Sequence, residues 1–367
     1  MERPWSLRWR VNDILEELWG TLEWLEPGGR PKAVIPRPNG FLVAEPRPLT
    51  WSGGWTLYYI RKKDIPTEKA ARILAWGLGA KKYSYYGLKD SQAIAYQSIA
   101  LLRPEQKPRH IILSGRGWTV EAWLIADGVG QPVKGLHGWN SFNITLLPQS
   151  PTDPPRPGWT FPNYYGPQRF GVCRPNTHII GLYLAKHDDE GLREELASRY
   201  PLEPPRKRRD ALNSMVERLA LQALQAYIWN KALSTAIREN LLERVKERAR
   251  PVCPKHSETR KHPLLPLPSR RMGEPKWWRE TVEYHLEREE LEWETLRGLK
   301  PSPRLATAEP CTHTIKVVEP QGAHVHTFTL PRGSYATVML REKYALDWVS
   351  ECTRLLAARM LTRRKRN

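Results

Sequence analysis

Apolar positions recur at two spacings along the chain, and the spacing changes where the elements change. Thr67 to Leu78 carries Ala70, Ile73, Leu74 and Gly77 on one face, which predicts a helix capped by Thr67. It leads into Lys81 to Tyr86, an aromatic and polar stretch of strand character, and a second strand is predicted from Ala93 to Leu102, where Ile94, Tyr96 and Ile99 stand among small residues. The glycine-flanked corner between them holds Asp90 at a turn. Phe41, Val43 and Glu45 alternate as an earlier strand would. After Ile179 to Ala185 the chain turns polar at Lys186-His187-Asp188-Asp189-Glu190 and passes the rigid, basic run Pro204-Pro205-Arg206-Lys207-Arg208-Arg209. A long helix is predicted from Asn213 to Arg248, with Met215, Leu219, Leu224 and Ile228 on one face, and the proline-rich stretch Pro251 to Pro268 ends it as a surface loop. Thr281 to Leu296 reads as a charged helix. Strand character returns at Thr312 to Val318 and His324 to Leu330. These shifts place an insertion at 187–306, interrupting a discontinuous domain of 1–186 and 307–349, with a basic tail at 350–367.

Charge narrows the partners. The 367 residues hold 58 Lys and Arg against 39 Asp and Glu, a formal charge of +19 and a pI near 9.9. Such a surface attracts polyanions, and nucleic acid is the expected one because phosphate contacts dominate affinity for basic proteins. The 16 tryptophans are expected mostly in the core, with some free to receive unstacked bases. No apolar run is long enough to span a membrane, and Asp13, Glu16 and Glu17 interrupt any signal-peptide core, so a cytoplasmic protein is expected. Cys173, Cys253, Cys311 and Cys352 are scattered without a CxxC, the spacing of reduced thiols. Cys253 with His256 and Cys311 with His313 would be the zinc alternative, but they lack the paired spacing of a four-ligand site.

Three strings carry a family resemblance. Tyr86-Gly87-Leu88-Lys89-Asp90-Ser91-Gln92-Ala93, running on to Gln97, resembles the GxKDxxAxTxQ signature of the TruD family of tRNA pseudouridine synthases, with Ala95 where the family has threonine. Asn163-Tyr164-Tyr165-Gly166-Pro167-Gln168-Arg169-Phe170-Gly171 resembles the family's NYFGxQRFG element. Leu330-Pro331-Arg332-Gly333-Ser334-Tyr335-Ala336-Thr337, followed by Leu340-Arg341-Glu342, resembles its LPxGSYAT…LRE block. Asn140-Ser141-Phe142 is similar to the GNxF strand, with Trp139 inserted after Gly138, and Leu221 to Asn230 is similar to the RNA-binding insertion. One block departs: the family's early strand carries a lysine three residues before a PEDF motif, and here that position falls on Ile35 in Ile35-Pro36-Arg37-Pro38-Asn39-Gly40-Phe41.

The resemblance implies an α+β fold, a pseudouridine synthase core whose mixed, largely antiparallel sheet has flanking helices and an inserted α-rich domain. It implies isomerisation of a tRNA uridine, that at position 13 of the D arm, by a protein acting as a monomer. The reaction breaks an N-glycosidic bond and remakes it through carbon without redox change, so a nucleophile and a confined pocket suffice and no cofactor is called for. The nucleophile would be Asp90. Lys89, Asn163, Tyr165, Arg169 and Tyr335 would bind substrate: Tyr165, at the family's phenylalanine position, by stacking on the flipped uracil, Asn163 on the base or within its own loop, and Arg169 on phosphate or a carboxylate. Arg37 or Lys89 would supply the positive charge beside Asp90. The alternatives are a non-catalytic RNA-binding protein of the same fold, against which an intact Asp90 argues, and a metal-dependent nuclease, which would need clustered carboxylates that the chain lacks.

Overall fold

The computed structural model describes residues 15–347 apart from 27, 47–49, 134–137, 172–173, 198–213, 255–256 and 274. The basic run 206–209, His256, Cys173 and the tail 350–367 therefore lie outside the described residues.

The stretches of two-residue period assemble one eleven-stranded sheet. Its strands are β1 (Lys32–Val34), β2 (Phe41–Ala44), β3 (Ser52–Lys63), β4 (Lys82–Tyr85), β5 (Ile94–Leu102), β6 (His110–Gly115), β7 (Trp118–Val129), β8 (Trp139–Pro148), β9 (Thr312–Val318), β10 (Ala323–Pro331) and β11 (Ala345–Leu346). The order β9-β10-β8-β2-β5-β3-β7-β6 brings the last strands of the chain against β8, while β1 bridges β8 and β11, and β4 pairs with β5. Only β2 with β5 and β1 with β11 run parallel among the described pairs, so the sheet is mixed and largely antiparallel, as expected. The parallel pairing of β2 with β5, Leu42 beside Ile94 and Ala44 beside Tyr96, has a specific result. Both strands enter the sheet at the same edge, so the residues just before Phe41 meet those just before Ile94. Strand β3 runs antiparallel to β5 and ends there too, with Lys62 opposite Ala95.

Beside the short helical turn Pro167–Phe170, the helices among the described residues include α1 (Thr67–Gly77), α2 (Thr177–Lys186), α3 (Asp189–Ala197), α4 (Ser214–Arg238), α5 (Lys276–Arg288) and α6 (Ala336–Arg341). Helix α1 buries Thr67, Ala70, Ala71, Leu74 and Ala75 against the sheet. Thr67 does not cap it, because its hydroxyl is engaged with Lys89 and Gln97 and Pro66 occupies the cap position. Helix α4 stops ten residues before the expected Arg248: Asn240 turns left-handed (φ 54°) and a 3₁₀ turn, Leu241–Arg244, follows. The charged helix likewise runs Lys276–Arg288 rather than Thr281 to Leu296, ending where Glu290 takes φ 54°. One hydrophobic cluster joins Phe41, Phe142 and Phe328 of the sheet to Trp229 of α4 and Trp278 of α5. Leu221 to Asn230, similar in sequence to an RNA-binding segment, is largely core: Ala223, Leu224, Ala226, Ile228, Trp229 and Asn230 are buried.

The expectation of reduced thiols fails for one pair. Cys253, in the proline-rich loop, forms a disulfide with Cys311 at the head of β9, their Cα atoms 5.6 Å apart. Fifty-eight residues separate them in sequence, so spacing alone could not reveal a contact made by the fold. No described helix is long and apolar enough to cross a membrane.

A chain of neutral histidines ties the sheet to the loop before Trp159. The Gly158 amide donates to Nδ1 of His313 (3.0 Å), so His313 carries its proton on Nε2 and donates to Nδ1 of His326 (3.1 Å). His326 Nε2 then donates to the Tyr344 hydroxyl (3.2 Å), which donates to Nδ1 of His324 (2.8 Å), and His324 Nε2 donates to the Thr152 carbonyl (3.1 Å). Each tautomer follows from its neighbour, and an added proton anywhere would set two donors face to face. Burial pulls His313 down to about 4 and His326 to about 3, and does the same to His178 (about 3) and His285 (about 4). Unfolded, each takes a proton near pH 6.5, so the stability gained from keeping them neutral is present above that value and is lost as pH falls toward the folded values. Glu342, pushed by burial to about 7, and Glu45, also raised, act in the opposite sense but are outnumbered. The urea midpoint is therefore expected to drop between about pH 6.5 and pH 5, above the range where ordinary carboxylates titrate. A flat midpoint over that interval would contradict the neutral chain.

Candidate active site

Asp90 occupies the corner between β4 and β5, and three residues from the shared sheet edge close around it. Arg37, just before β2, places Nη1 2.9 Å from Asp90 Oδ2 and 3.1 Å from the Gln92 carbonyl. Its side chain is 2 % exposed and its guanidinium lies 4.0 Å over the Phe41 ring, so packing fixes the cation's position. The Gln92 amide donates to Oδ1 at 3.0 Å, and Gln168 reaches Oδ2 at 3.5 Å. Lys62, fully buried, donates to the main-chain carbonyls of Asp90 (2.6 Å) and Ile65 (2.8 Å), pinning the corner to the entry of α1. Burial pulls Lys62 down to about 8, with the Asp90 charge opposing.

Two opposing effects act on the Asp90 carboxyl, whose side chain keeps 17 % exposure. Burial raises it, but Arg37, the Gln92 amide, Lys62 and Gln168 together hold it below its ordinary value. It is a carboxylate at neutral pH, partly stripped of water and open on one side.

Of the two basic candidates for partnering Asp90, the structure selects Arg37. Lys89 points elsewhere: its Nζ lies 2.7 Å from Glu45 Oε2 in a buried pair, and Glu45 Oε1 accepts the Ser98 amide at 2.6 Å. The Lys89 main-chain N–H donates to Thr67 Oγ1 (3.0 Å), whose hydroxyl donates to Gln97 Oε1 (3.0 Å). The signature residues Lys89 and Gln97 thus build the corner from behind, and Ala93 packs fully buried beneath it.

Asp90 opens into a cavity of about 830 Å³ whose wall includes Phe41, Tyr165, Arg169, Arg304 and Tyr335. Tyr165 sits under the Arg304 guanidinium (3.9 Å to the ring centre), with Arg169 at 5.3 Å and the Tyr335 ring edge-on at 6.1 Å. Its main chain is clamped by Asn230, which accepts the Tyr165 amide (2.8 Å) and donates to its carbonyl (3.0 Å). Gly166 is required here because a Cβ would stand 2.8 Å from the Tyr335 ring. Gly171, at φ 100°, lets the chain turn where a Cβ would meet the Arg174 carbonyl at 2.2 Å. Several polar atoms in this wall are buried without a hydrogen-bond partner among the described residues: Arg169 Nε, Asn140 Oδ1, Ser334 Oγ and Thr337 Oγ1. Buried polar groups are normally paired, so these are suited to a polar ligand.

Asn163 is brought near the cavity but does not line it. Its Nδ2 donates to the Leu305 carbonyl (2.9 Å), and its Oδ1 and carbonyl accept from Arg304 (3.2 and 2.9 Å), so of its two expected roles the structure favours holding the loop. Lys62, Gln168, Arg304 and Asn230 are the participants that sequence reasoning missed. Gln168 stood inside a quoted motif, whereas Lys62 and Arg304 become visible only through strand register. No group of three or more His, Cys, Asp or Glu among the described residues is placed to hold a metal ion.

The comparisons with known proteins agree with one another. A family model described as tRNA pseudouridine synthase D (TruD) matches residues 152–211. A protein of Nanoarchaeum equitans named probable tRNA pseudouridine synthase D is 25 % identical over 343 residues, covering 80 % of this chain and 87 % of its own. One of the same name from Methanopyrus kandleri is 26 % identical over 355 residues, covering 79 % and 85 %. The crystal structure of a Methanosarcina mazei protein described as a putative tRNA pseudouridine synthase D superposes with a TM-score of 0.62 at 19 % identity, over 92 % of this chain and 99 % of the other, a likeness of fold.

The clamp makes a prediction about Asn163. Asn163→Ala leaves Arg304 without the Oδ1 acceptor and the Leu305 carbonyl without its donor, a loss of about 1 to 3 kcal/mol, read as a lower melting temperature. An unchanged melt would mean that the loop does not depend on Asn163.

Proposed function

We propose that this chain, which belongs to the TruD family of tRNA pseudouridine synthases, isomerises a uridine of tRNA, that at position 13 of the D arm, with Asp90 as the nucleophile. The observation that carries the reading is the Asp90 carboxylate, kept ionised by Arg37 and Lys62 at the edge of a cavity walled by aromatic rings and guanidinium groups. A carboxylate so placed is a nucleophile that cannot retreat into bulk solvent.

The uridine leaves its stack and enters the cavity, where Tyr165 offers a ring to the base and Arg169, whose Nε has no hydrogen-bond partner among the described residues, offers a guanidinium to phosphate. Asp90 attacks either C1′ of the ribose or C6 of the uracil. The N1–C1′ bond breaks, the base turns within the cavity, C5 bonds to C1′, the bond to Asp90 is released, the C5 proton leaves, and N1 takes up a proton in its place. Atoms are conserved, so the product is an isomer of the substrate. Arg304 and Arg169 beside Tyr165 place positive charge where the detached base would carry its negative charge. In this reading residues 187–306 form the inserted domain, Lys89 acts by shaping the corner, Tyr335 backs Tyr165, and the protein works as a cytoplasmic monomer. Its charge of +19 supports a polyanionic substrate.

Asp90→Asn keeps the size of the side chain and removes the nucleophile. Tritium release from 5-labelled uridine in tRNA is expected to vanish in this variant while its affinity for tRNA stays near that of the wild type. Turnover comparable to the wild type would remove Asp90 from the reaction. Tyr165→Phe keeps the ring and is expected to keep most activity, whereas Tyr165→Ala is expected to lose about tenfold to a hundredfold in kcat/KM, the worth of one stacked base. A Tyr165→Ala protein that melts normally and retains full activity would exclude stacking there.

A further inference from the structure

The outward face of α1 carries a feature that the catalytic cavity does not use. Trp76 is 86 % exposed, on a helix whose other face buries Thr67, Ala70, Ala71, Leu74 and Ala75. Lys69 and Arg72 precede it by seven and four residues, so the three side chains form one exposed stripe. Neither cation has an ion-pair partner among the described residues, and the Lys69 ammonium lies 5.8 Å from the centre of the neighbouring Trp118 ring, a second aromatic beside the stripe. The helix's single carboxylate, Glu68, is held by the hydroxyls of Tyr83 (2.7 Å) and Tyr85 (2.8 Å), and Lys81 and Lys82 lie exposed just beyond the helix. The stripe is therefore a large aromatic ring set in positive charge. An apolar protein partner would want an apolar surround; an unpaired nucleotide wants a ring for its base and cations for its phosphates.

We propose that this stripe is a second RNA contact, on which Trp76 stacks an unpaired base of the substrate while Lys69 and Arg72 meet the adjoining phosphates. The proposal rests on the reading that the substrate is RNA. Its position suits that substrate, because α1 begins at the catalytic corner, where Thr67 accepts the Lys89 amide. Trp76 lies nine residues farther along the helix, about 14 Å at 1.5 Å per residue. An RNA strand whose uridine enters the cavity can reach the platform within a few nucleotides.

The stripe is exposed, so its variants should fold. Trp76→Ala is expected to raise KM for tRNA by about tenfold, within the range of one lost stack, with kcat at saturation unchanged, and Trp76→Phe is expected to stay near the wild type. Reversing Lys69 and Arg72 to Glu is expected to reduce the salt dependence of binding by about two phosphate contacts. Irradiation of the wild type with RNA carrying 5-iodouridine in unpaired positions is expected to label the peptide that contains Trp76. A KM within twofold of wild type in Trp76→Ala, with no label on α1, overturns the proposal. Loss of self-association in that variant with unchanged RNA affinity also overturns it, and assigns the face to a protein partner. If the wild type turns over no tRNA, the proposed reaction has failed, and the platform is still judged by the cross-link and by filter binding of unpaired RNA to the Trp76 variants.

Discussion

The contact between Arg37 and Asp90 is the interaction on which the site depends, and it exists because β2 and β5 run parallel. Two residues 53 apart in sequence meet at 2.9 Å because their strands start from the same edge of one sheet. An antiparallel pairing of the same two strands would send Arg37 to the far end. Burial alone would push the Asp90 carboxyl up and blunt it as a nucleophile, and the fold answers with one packed guanidinium, one buried ammonium and one amide aimed at the corner. The same edge receives the end of β3, which is why Lys62 can hold the Asp90 carbonyl rather than solvent.

Around this contact the cavity is assembled in a second layer. Helix α4 gives Asn230 to clamp Tyr165, Arg304 covers the Tyr165 ring, and Tyr335 approaches over Gly166. These residues come from well-separated stretches of the chain, and the shared hydrophobic cluster beneath them fixes their relation. The site can thus be stiff where Asp90 sits and still present unpaired polar atoms to a ligand.

Much of this was legible in the sequence, for definable reasons. The corner at Asp90 could be read because a glycine-flanked turn between two strand-like runs is local information. The helix after Thr67 and the last two long strands could be read for the same reason. The partner of Asp90 could not be chosen between Arg37 and Lys89, because that depends on register between distant strands; Lys89 is nearer in sequence but is consumed by Glu45. The end of α4 at Arg238 was hidden because the apolar period continues past it, and only the left-handed turn at Asn240 breaks the helix. The Cys253–Cys311 disulfide and the histidine chain were invisible for the reason that made Arg37 ambiguous, since each joins residues that the fold, not the sequence, makes neighbours.

The central claim is that Arg37 keeps Asp90, the proposed nucleophile, ionised, and the pH dependence of single-turnover pseudouridine formation tests it most directly. In the wild type the rate should stay level well into the acid range, as far as the folded protein persists, because the Asp90 carboxyl is held below its ordinary value. In Arg37→Gln the burial remains and its strongest opposing charge is gone. The acid inflection should then move upward, into the range above about pH 4 where an unassisted buried carboxylate titrates, with the rate recovering as pH rises. A variant whose rate falls equally at every pH, with no displaced inflection, would show that Arg37 serves only to shape the corner and would contradict the account.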